Sequence, residues 1–496
     1  VDVQSGRYGS KPFLISPDGP REITYRQLGE CVNRVADSLR RHGIGKGDKV
    51  SILLPNIPEY AYIFLGAMKM GAVANPINIH LKASELQSLL AHAESKVVVT
   101  SSQFLPVLEE VWGLWEKTLP VALLDEGNED LSFQQAPTNP SSPPLQVFPE
   151  DEAELLYTTG TTGRPKGVLL THSNLLAEAQ FIVAGHKLTE NDRGLCLLPL
   201  FHINAQVVNL ISGLFSGGSI ILPRQFSAST FWSTLANYEA TWFNAVPTIY
   251  SILLNRPKEE VEHLELSRVQ FGRSASAPLP VSVQQAFEER FHIPIIETYG
   301  ISETASQVTT NPREVSKRKL GSVGKAQGCE VKIVNSDGQE LPWGEEGEIV
   351  VRGKNVMKGY YKDSKATAEA LRGGWFHSGD LGYLDEQGFL FITGRLKELI
   401  IRGGENIAPR EIDEVLYSHP KIQDAATVGI PDPIYGEEVK SFVVLKPGQE
   451  CSEKEILDYC RQHLADFKCP KSISFLKEMP KSPTGKIIRR KLLELS

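Results

Sequence analysis

What this chain has little of narrows the reading first. Cysteine is sparse: Cys31, Cys196, Cys329, Cys451, Cys460 and Cys469 are the six in 496 residues. None forms a Cys-x-x-Cys pair, so neither a zinc ribbon nor a dithiol redox motif is supported. That density suits reduced thiols in a cytoplasmic protein better than a disulfide scaffold. No apolar run is long enough to span a bilayer, which excludes an integral membrane segment, and no signal-peptide pattern opens the chain. It begins at Val1 rather than Met, which leaves a preceding targeting segment open. Basic charge is not in excess either. The formal net charge of -8 argues against a nucleic-acid partner or an anionic-membrane coat, while leaving room for a local basic site. Internal repeats and low-complexity tracts are absent, and nothing in the composition fixes an oligomeric state.

What is present is an ordinary globular composition, 41% hydrophobic and 23% charged, in a chain too long for a single core. Tyr25 to His42 carries apolar residues at helical spacing and stops before Gly43. Val50–Leu54 reads as a strand, Pro58–Met70 as a helix ended by Gly71, and Val97–Thr100 as a short β-branched strand. This βαβ rhythm predicts a mostly parallel sheet with helices on both faces. From Asp125 to Asp151 the pattern dissolves into Asn, Ser, Gln and Pro, which reads as a surface connection between two subdomains. Strand–helix alternation returns from Ala153 to about Pro294, and shorter stretches after Gly321 predict a β-rich lobe. Phe389–Thr393 pairs with Leu381–Leu384 across Glu386-Gln387-Gly388 as a hairpin. In the last hundred residues Pro409 opens one helix, and Ser452 with Glu455 forms a capping box for another.

The strongest local signal is Thr158-Thr159-Gly160-Thr161-Thr162-Gly163-Arg164-Pro165-Lys166-Gly167, flanked by Leu155-Leu156-Tyr157 and Val168-Leu169-Leu170. Four hydroxyls, three glycines and a lysine in ten residues make a phosphate cradle of N–H groups, O–H groups and positive charge. Pro165 stands where the Walker pattern needs its second glycine, so that motif is excluded. Further along come Tyr299-Gly300-Ile301-Ser302-Glu303-Thr304, Gly379-Asp380, Gly394-Arg395-Leu396-Lys397 and Pro483-Thr484-Gly485-Lys486. Tyr299 offers an aromatic face, Gly300 permits close approach of a ligand, and Glu303 is a hard carboxylate suited to Mg²⁺. Taken singly, Glu303 reads as a solvated acid, Asp380 as a turn residue and Lys481–Lys486 as a solvated basic run.

Taken in order along nearly the whole chain, these segments resemble the acyl-adenylate-forming superfamily. That superfamily includes acyl-CoA synthetases, peptide-synthetase adenylation domains and firefly luciferase. The resemblance implies an α/β fold: a large N-terminal domain, 1–396, of two doubly wound α/β subdomains plus a β-rich lobe. A small mobile α+β domain, 397–496, follows and carries the catalytic lysine. ATP, Mg²⁺ and coenzyme A are the implied cofactors and substrates, together with a small carboxylic acid.

Residue by residue, the resemblance gives Thr158, Thr159, Gly160, Thr161, Thr162, Gly163 and Lys166 to the phosphates. It stacks adenine on Tyr299, beside Gly300, with Ser276, Ala277 and Pro278 on its other face. Ser302 donates to the α-phosphate, Glu303 holds Mg²⁺, Asp380 accepts from the ribose hydroxyls, and Arg395 assists there. Lys397 is the hinge, and Lys486 meets both the carboxylate and the α-phosphate. His202 matches a gate beside the acyl pocket, lined by His202, Asn204, Ala245, Ser276 and Ile301. Those mixed apolar and small polar residues suit a medium-sized aliphatic or aromatic acid. Arg273 reads as a surface residue, with a partnership to an anionic substrate group, hence a small dicarboxylate, as the alternative.

The implied activity is acyl-CoA synthesis through an acyl-adenylate. An adenylation enzyme loading a carrier protein is the competing reading. Modules of that kind activating amino acids place an Asp after the gate, where Ile203-Asn204-Ala205-Gln206-Val207-Val208 has none. A non-catalytic relative would be expected to have lost Lys486, Glu303 or Asp380, and all three are present.

Overall fold

The structure is a computed structural model that describes residues 1–19, 21–115, 117–128, 131–133, 146–158, 166–482 and 485–495. Thr159, Gly160, Thr161, Thr162 and Gly163, most of the proline-rich connection, and Pro483-Thr484 lie outside the described residues. Among the described residues the strands form four sheets, of nine, four, eight and five strands.

In the nine-stranded sheet the run Ile295–Tyr299, Phe271–Ser274, Trp242–Ala245, Arg193–Cys196, Ser219–Ile221 and Pro12–Ser16 is parallel throughout. The eight-stranded sheet has a parallel centre as well, with Lys49–Leu53 between Val73–Pro76 and Ser95–Thr100. The helix Pro58–Lys69 is buried along nearly all its length. It has no polar face, as expected of a helix inside a core shared by two layers. Tyr25–Arg41 is amphipathic and closed at its start by a reciprocal cap between Thr24 and Gln27. It stops where sequence spacing said it would, before Gly43 at φ 81°.

One expectation needs correcting. The proline-rich connection does not divide two subdomains. The hairpin that follows it, Glu152–Thr158 with Lys166–Thr171, completes the eight-stranded sheet, and Gly359–Tyr360 joins that sheet's edge. The hairpin Pro12–Ser16/Arg21–Thr24 sits instead in the nine-stranded sheet. Parallel strands admit distant segments as readily as near ones, so sequence proximity did not reveal this exchange.

Glu330–Val334, Gly347–Arg352, Phe376–Leu384 and Leu390–Arg395 form the antiparallel four-stranded lobe, with the expected hairpin. A separate apolar core, including Ile400, Ile412, Leu416, Val439 and Ile456, lies within the five-stranded unit of the last hundred residues. Pro409 does begin a helix there, and Ser452 does cap one. The box is half-formed: Glu455 pairs with Lys421 instead of reaching back.

Gly300 has a further reason to be glycine. A side chain there would meet the protein's own backbone, since an added Cβ would lie 1.5 Å from the Ser306 carbonyl oxygen. Gly43 has open space around it and only its positive φ to protect. Gly300→Ala should therefore cost about 3 kcal/mol, the top of the usual overpacking range. Gly43→Ala should cost about 1 kcal/mol, the left-handed penalty alone. Thermal unfolding of the two variants side by side checks this, and equal shifts would contradict the close approach.

Candidate active site

Strand Ile295–Tyr299 ends against the β-rich lobe, where the Tyr299 hydroxyl donates to Asp380 Oδ2 at 2.6 Å. Asp380 faces Arg395 across the hairpin register, and Arg395 Nε lies 2.7 Å from Asp380 Oδ1. The lobe's strand pairing thus fixes a three-residue group around the buried Asp380. Burial, then the Asp380 charge, pushes the Tyr299 phenol well above its ordinary value. The same carboxylate raises Arg395. A carboxylate has about four lone-pair sites, so Asp380 retains acceptor capacity beyond these two partners.

The phosphate-loop residues that are described, Thr158 and Lys166, face each other at the open end of their hairpin. Lys166 Nζ sits 4.6 Å from the centre of the Tyr360 ring, and the Tyr360 hydroxyl donates to Glu303 Oε1 at 2.9 Å. Glu303 lies in the short turn Ser302–Thr304, with Ser302 at its head. Burial raises its carboxyl, while the Tyr360 bond and Arg395 pull it down. Among the described residues no cation pairs directly with this half-buried carboxylate, and that donor chemistry fits a hard divalent ion.

On the other side, the Asn204 backbone N–H donates to His202 Nδ1 at 3.2 Å, and Asn204 Nδ2 donates to Ser276 Oγ at 3.0 Å. His202, Asn204 and Ser276 therefore stand together. Burial, reinforced by Lys486, lowers His202 to about 4, so its ring is neutral near pH 7 with the proton on Nε2. Asn204–Ile211 is wound as a π-helix, a form frequent at functional sites. Ala245 is fully buried in register with Ser274, and Ser276 takes φ 71° just past that strand. Ile301 packs partly buried against the main core; Ala277 is half-buried and Pro278 exposed.

Arg273 is not at the surface. It is 1% exposed, on strand Phe271–Ser274, because a parallel strand covered on both faces has no solvent side.

Lys486 arrives from the C-terminal unit. The Thr248 hydroxyl donates to the Gly485 carbonyl at 2.9 Å, and Gly485, at φ 76°, packs on Val246 and Thr248. Lys486 keeps an exposed face, yet protein crowds it enough to lower its ammonium to about 8, with Arg395 contributing. Lys397 lies exposed in the turn Leu396–Glu398, between the lobe's last strand and strand Ile400–Arg402.

Three contributors escaped the sequence reading. Tyr360 sits in an aromatic pair with no chemical signature, Thr248 matters only through a distant carbonyl, and the Asn244–Gln307–His186 surround of Arg273 is assembled from three elements.

Comparisons with known proteins give the family and the fold. The model of the AMP-binding enzyme family matches residues 1–361, and that of the AMP-binding enzyme C-terminal domain matches 411–486. The chain is 41% identical to a sulfoacetate–CoA ligase of Cupriavidus necator over 494 residues, 99% of this chain and 96% of that one. It is 38% identical to an oxalate–CoA ligase of Arabidopsis thaliana, over 96% of this chain and 94% of the relative. A crystal structure of the anthranilate CoA ligase AuaEII with anthranoyl-AMP superposes with a TM-score of 0.90 at 30% identity, covering 100% of this chain and 96% of that one.

The crowding at Lys486 is directly measurable. Carbon-labelled dimethylation followed by NMR should show Lys486 losing its proton near pH 8, and Arg395→Met should move that titration upward by removing a neighbouring cation. Titration at the ordinary lysine value in the unmutated protein would contradict the crowded position.

Proposed function

This chain belongs to the AMP-binding enzyme family, and from that premise we propose how its residues divide the work. The protein is an AMP-forming acid–thiol ligase using ATP and coenzyme A. In the first half-reaction the acid's carboxylate oxygen attacks the α-phosphorus of ATP, the bond to pyrophosphate breaks, and an acyl-adenylate remains. In the second the CoA sulfur attacks the acyl carbon and AMP leaves with the electron pair of the broken C–O bond.

Negative charge is the obstacle in the first step, and cations are the remedy. We assign Lys486 to the carboxylate and α-phosphate, Lys166 with its loop to the outer phosphates, and Ser302 to an α-phosphate oxygen. Asp380 takes the ribose hydroxyls with Arg395 beside it, and adenine lies between Tyr299 and the Ser276–Pro278 segment. Glu303 is the residue that would hold Mg²⁺, which supplies charge neutralisation at the phosphates when bound. His202 is the gate to the acyl pocket. The observation that carries the reading is the convergence on one place of Lys486, from the last hundred residues, with His202 and the Asp380–Arg395 pair.

The second step needs Lys486 withdrawn and room for a thiol. We assign the division of domains to 1–396 and 397–496, with Lys397 as the pivot, in the turn between separate sheets. The exposed turn at Gly403 and Gly404 is the surface presented after rotation. The six cysteines, all free thiols, support a reducing, cytoplasmic setting. No helix among the described residues is long and apolar enough to cross a membrane.

Separating the half-reactions tests this division. Lys486→Ala should slow acid-dependent pyrophosphate exchange into ATP about a hundredfold or more, with far less effect on thiolysis of a supplied acyl-adenylate. Lys397→Pro, with φ fixed near roughly -65°, should retain exchange and lose most acyl-CoA formation. Normal acyl-CoA formation by Lys397→Pro would rule out the pivot, and equal loss of both half-reactions in Lys486→Ala would make that lysine structural.

A further inference from the structure

Arg273 carries a full charge in the protein interior, and its partners are neutral. Its Nη1 donates to Asn204 Oδ1 at 3.0 Å and Asn244 Oδ1 at 3.1 Å, its Nη2 to Gln307 Oε1 at 3.3 Å, and its Nε to His186 Nε2 at 3.3 Å. Among the described residues no carboxylate oxygen hydrogen-bonds to it. The neighbouring Glu178 is engaged elsewhere, by the Gln307 N–H at 2.7 Å and Asn355 Nδ2 at 2.9 Å. Burial pushes the Glu178 carboxyl up while Arg273 draws it down, so Glu178 acts on Arg273 through space and not through a hydrogen bond. A buried cation with no carboxylate in contact is costly, and an apolar residue of similar size would pack there at less expense. A ligand that brings negative charge to the pocket would offset part of that cost.

The route from Arg273 to the pocket is a directed hydrogen-bond chain. Arg273 Nη1 and Asn244 Nδ2 both donate to Asn204 Oδ1, and Asn204 Nδ2 in turn donates to Ser276 Oγ. Ser276 therefore has its own O–H left to give, at the end of a chain polarised by a cation. His202, on the other side of Asn204, is a neutral ring with Nδ1 occupied as acceptor and Nε2–H to donate. This wall offers donors and a positive field.

We infer that Arg273 is a positioning residue for substrate choice, acting through Asn204 and Ser276 to select acids that carry a second anionic group, a carboxylate or sulfonate. The inference rests on the acid–thiol ligase reading above and narrows it: an uncharged aliphatic or aromatic acyl chain gives way to one with an anionic distal group.

Shape-matched acids separate charge from size. Malonate pairs with isovalerate, and sulfoacetate with tert-butylacetate, each pair differing mainly in the charge of the distal group. With ATP and CoA, the wild-type enzyme should favour the anionic member by at least about a hundredfold in kcat/KM, since pocket donors left unpaired penalise the neutral one. Arg273→Met should reduce that ratio at least about tenfold, mainly through KM of the anionic acid, and Arg273→Lys should restore part of it. A wild-type ratio near or below one would overturn the inference while leaving the ligase reading intact. So would an Arg273→Met enzyme that loses both members of a pair equally, because a merely structural arginine behaves that way. Should Arg273→Met fail to fold, the wild-type ratios and Arg273→Lys decide. If no acid of either set, nor any longer aliphatic or aromatic acid, yields AMP with CoA, it is the ligase reading that fails.

Discussion

One contact between two separately built units governs the rest of the site. The Gly485 carbonyl accepts from Thr248, and the absence of a side chain at Gly485 lets the loop lie directly on Val246 and Thr248. That docking sets Lys486 among His202, Arg395 and Asp380. On the reading proposed above, neither unit contains the whole site: the large one supplies Asp380, Glu303 and the pocket, and the small one supplies Lys486. The separate apolar core of the C-terminal unit is consistent with breaking this contact while each side stays folded.

On the proposed mechanism, electrostatics gives that cation a reason to come and go. Lys166, Arg395 and Lys486 approach from three elements, and the carboxylates among them, Asp380 and Glu303, are tied to Tyr299 and Tyr360. The site is prepared for anions but crowded enough to drive a lysine toward neutrality. ATP would relieve that strain by supplying negative charge. On the proposed mechanism the thiol enters where Lys486 stands, so the two chemical steps call for two arrangements.

Much of the fold could be read from the sequence, and so could the segments Gly379-Asp380 and Gly485-Lys486 that the structure brings near one another. Such segments announce themselves because tight turns and single charges need particular residue types at fixed spacing. Helix ends at Gly43 and Pro409 were legible for the same local reason. Arg273 was misjudged because burial is a property of the assembled sheet, which no spacing around one arginine records. Tyr360 was missed because its value lies in touching Glu303 and Lys166 from an edge strand distant in sequence from both. Gly300 showed its glycine but concealed whose backbone required it. The exchange of strands between the two large sheets escaped too, since parallel neighbours need not be neighbours in sequence.

The central claim is that the acid's own oxygen attacks the α-phosphorus of ATP. Turnover with an acid labelled with heavy oxygen in its carboxylate, followed by mass spectrometry of the products, tests it most directly. The account predicts one heavy oxygen in the phosphate of AMP and none in pyrophosphate. Label appearing in pyrophosphate or inorganic phosphate, or AMP released without it, would contradict the adenylate and with it the roles assigned to Lys486 and its neighbours.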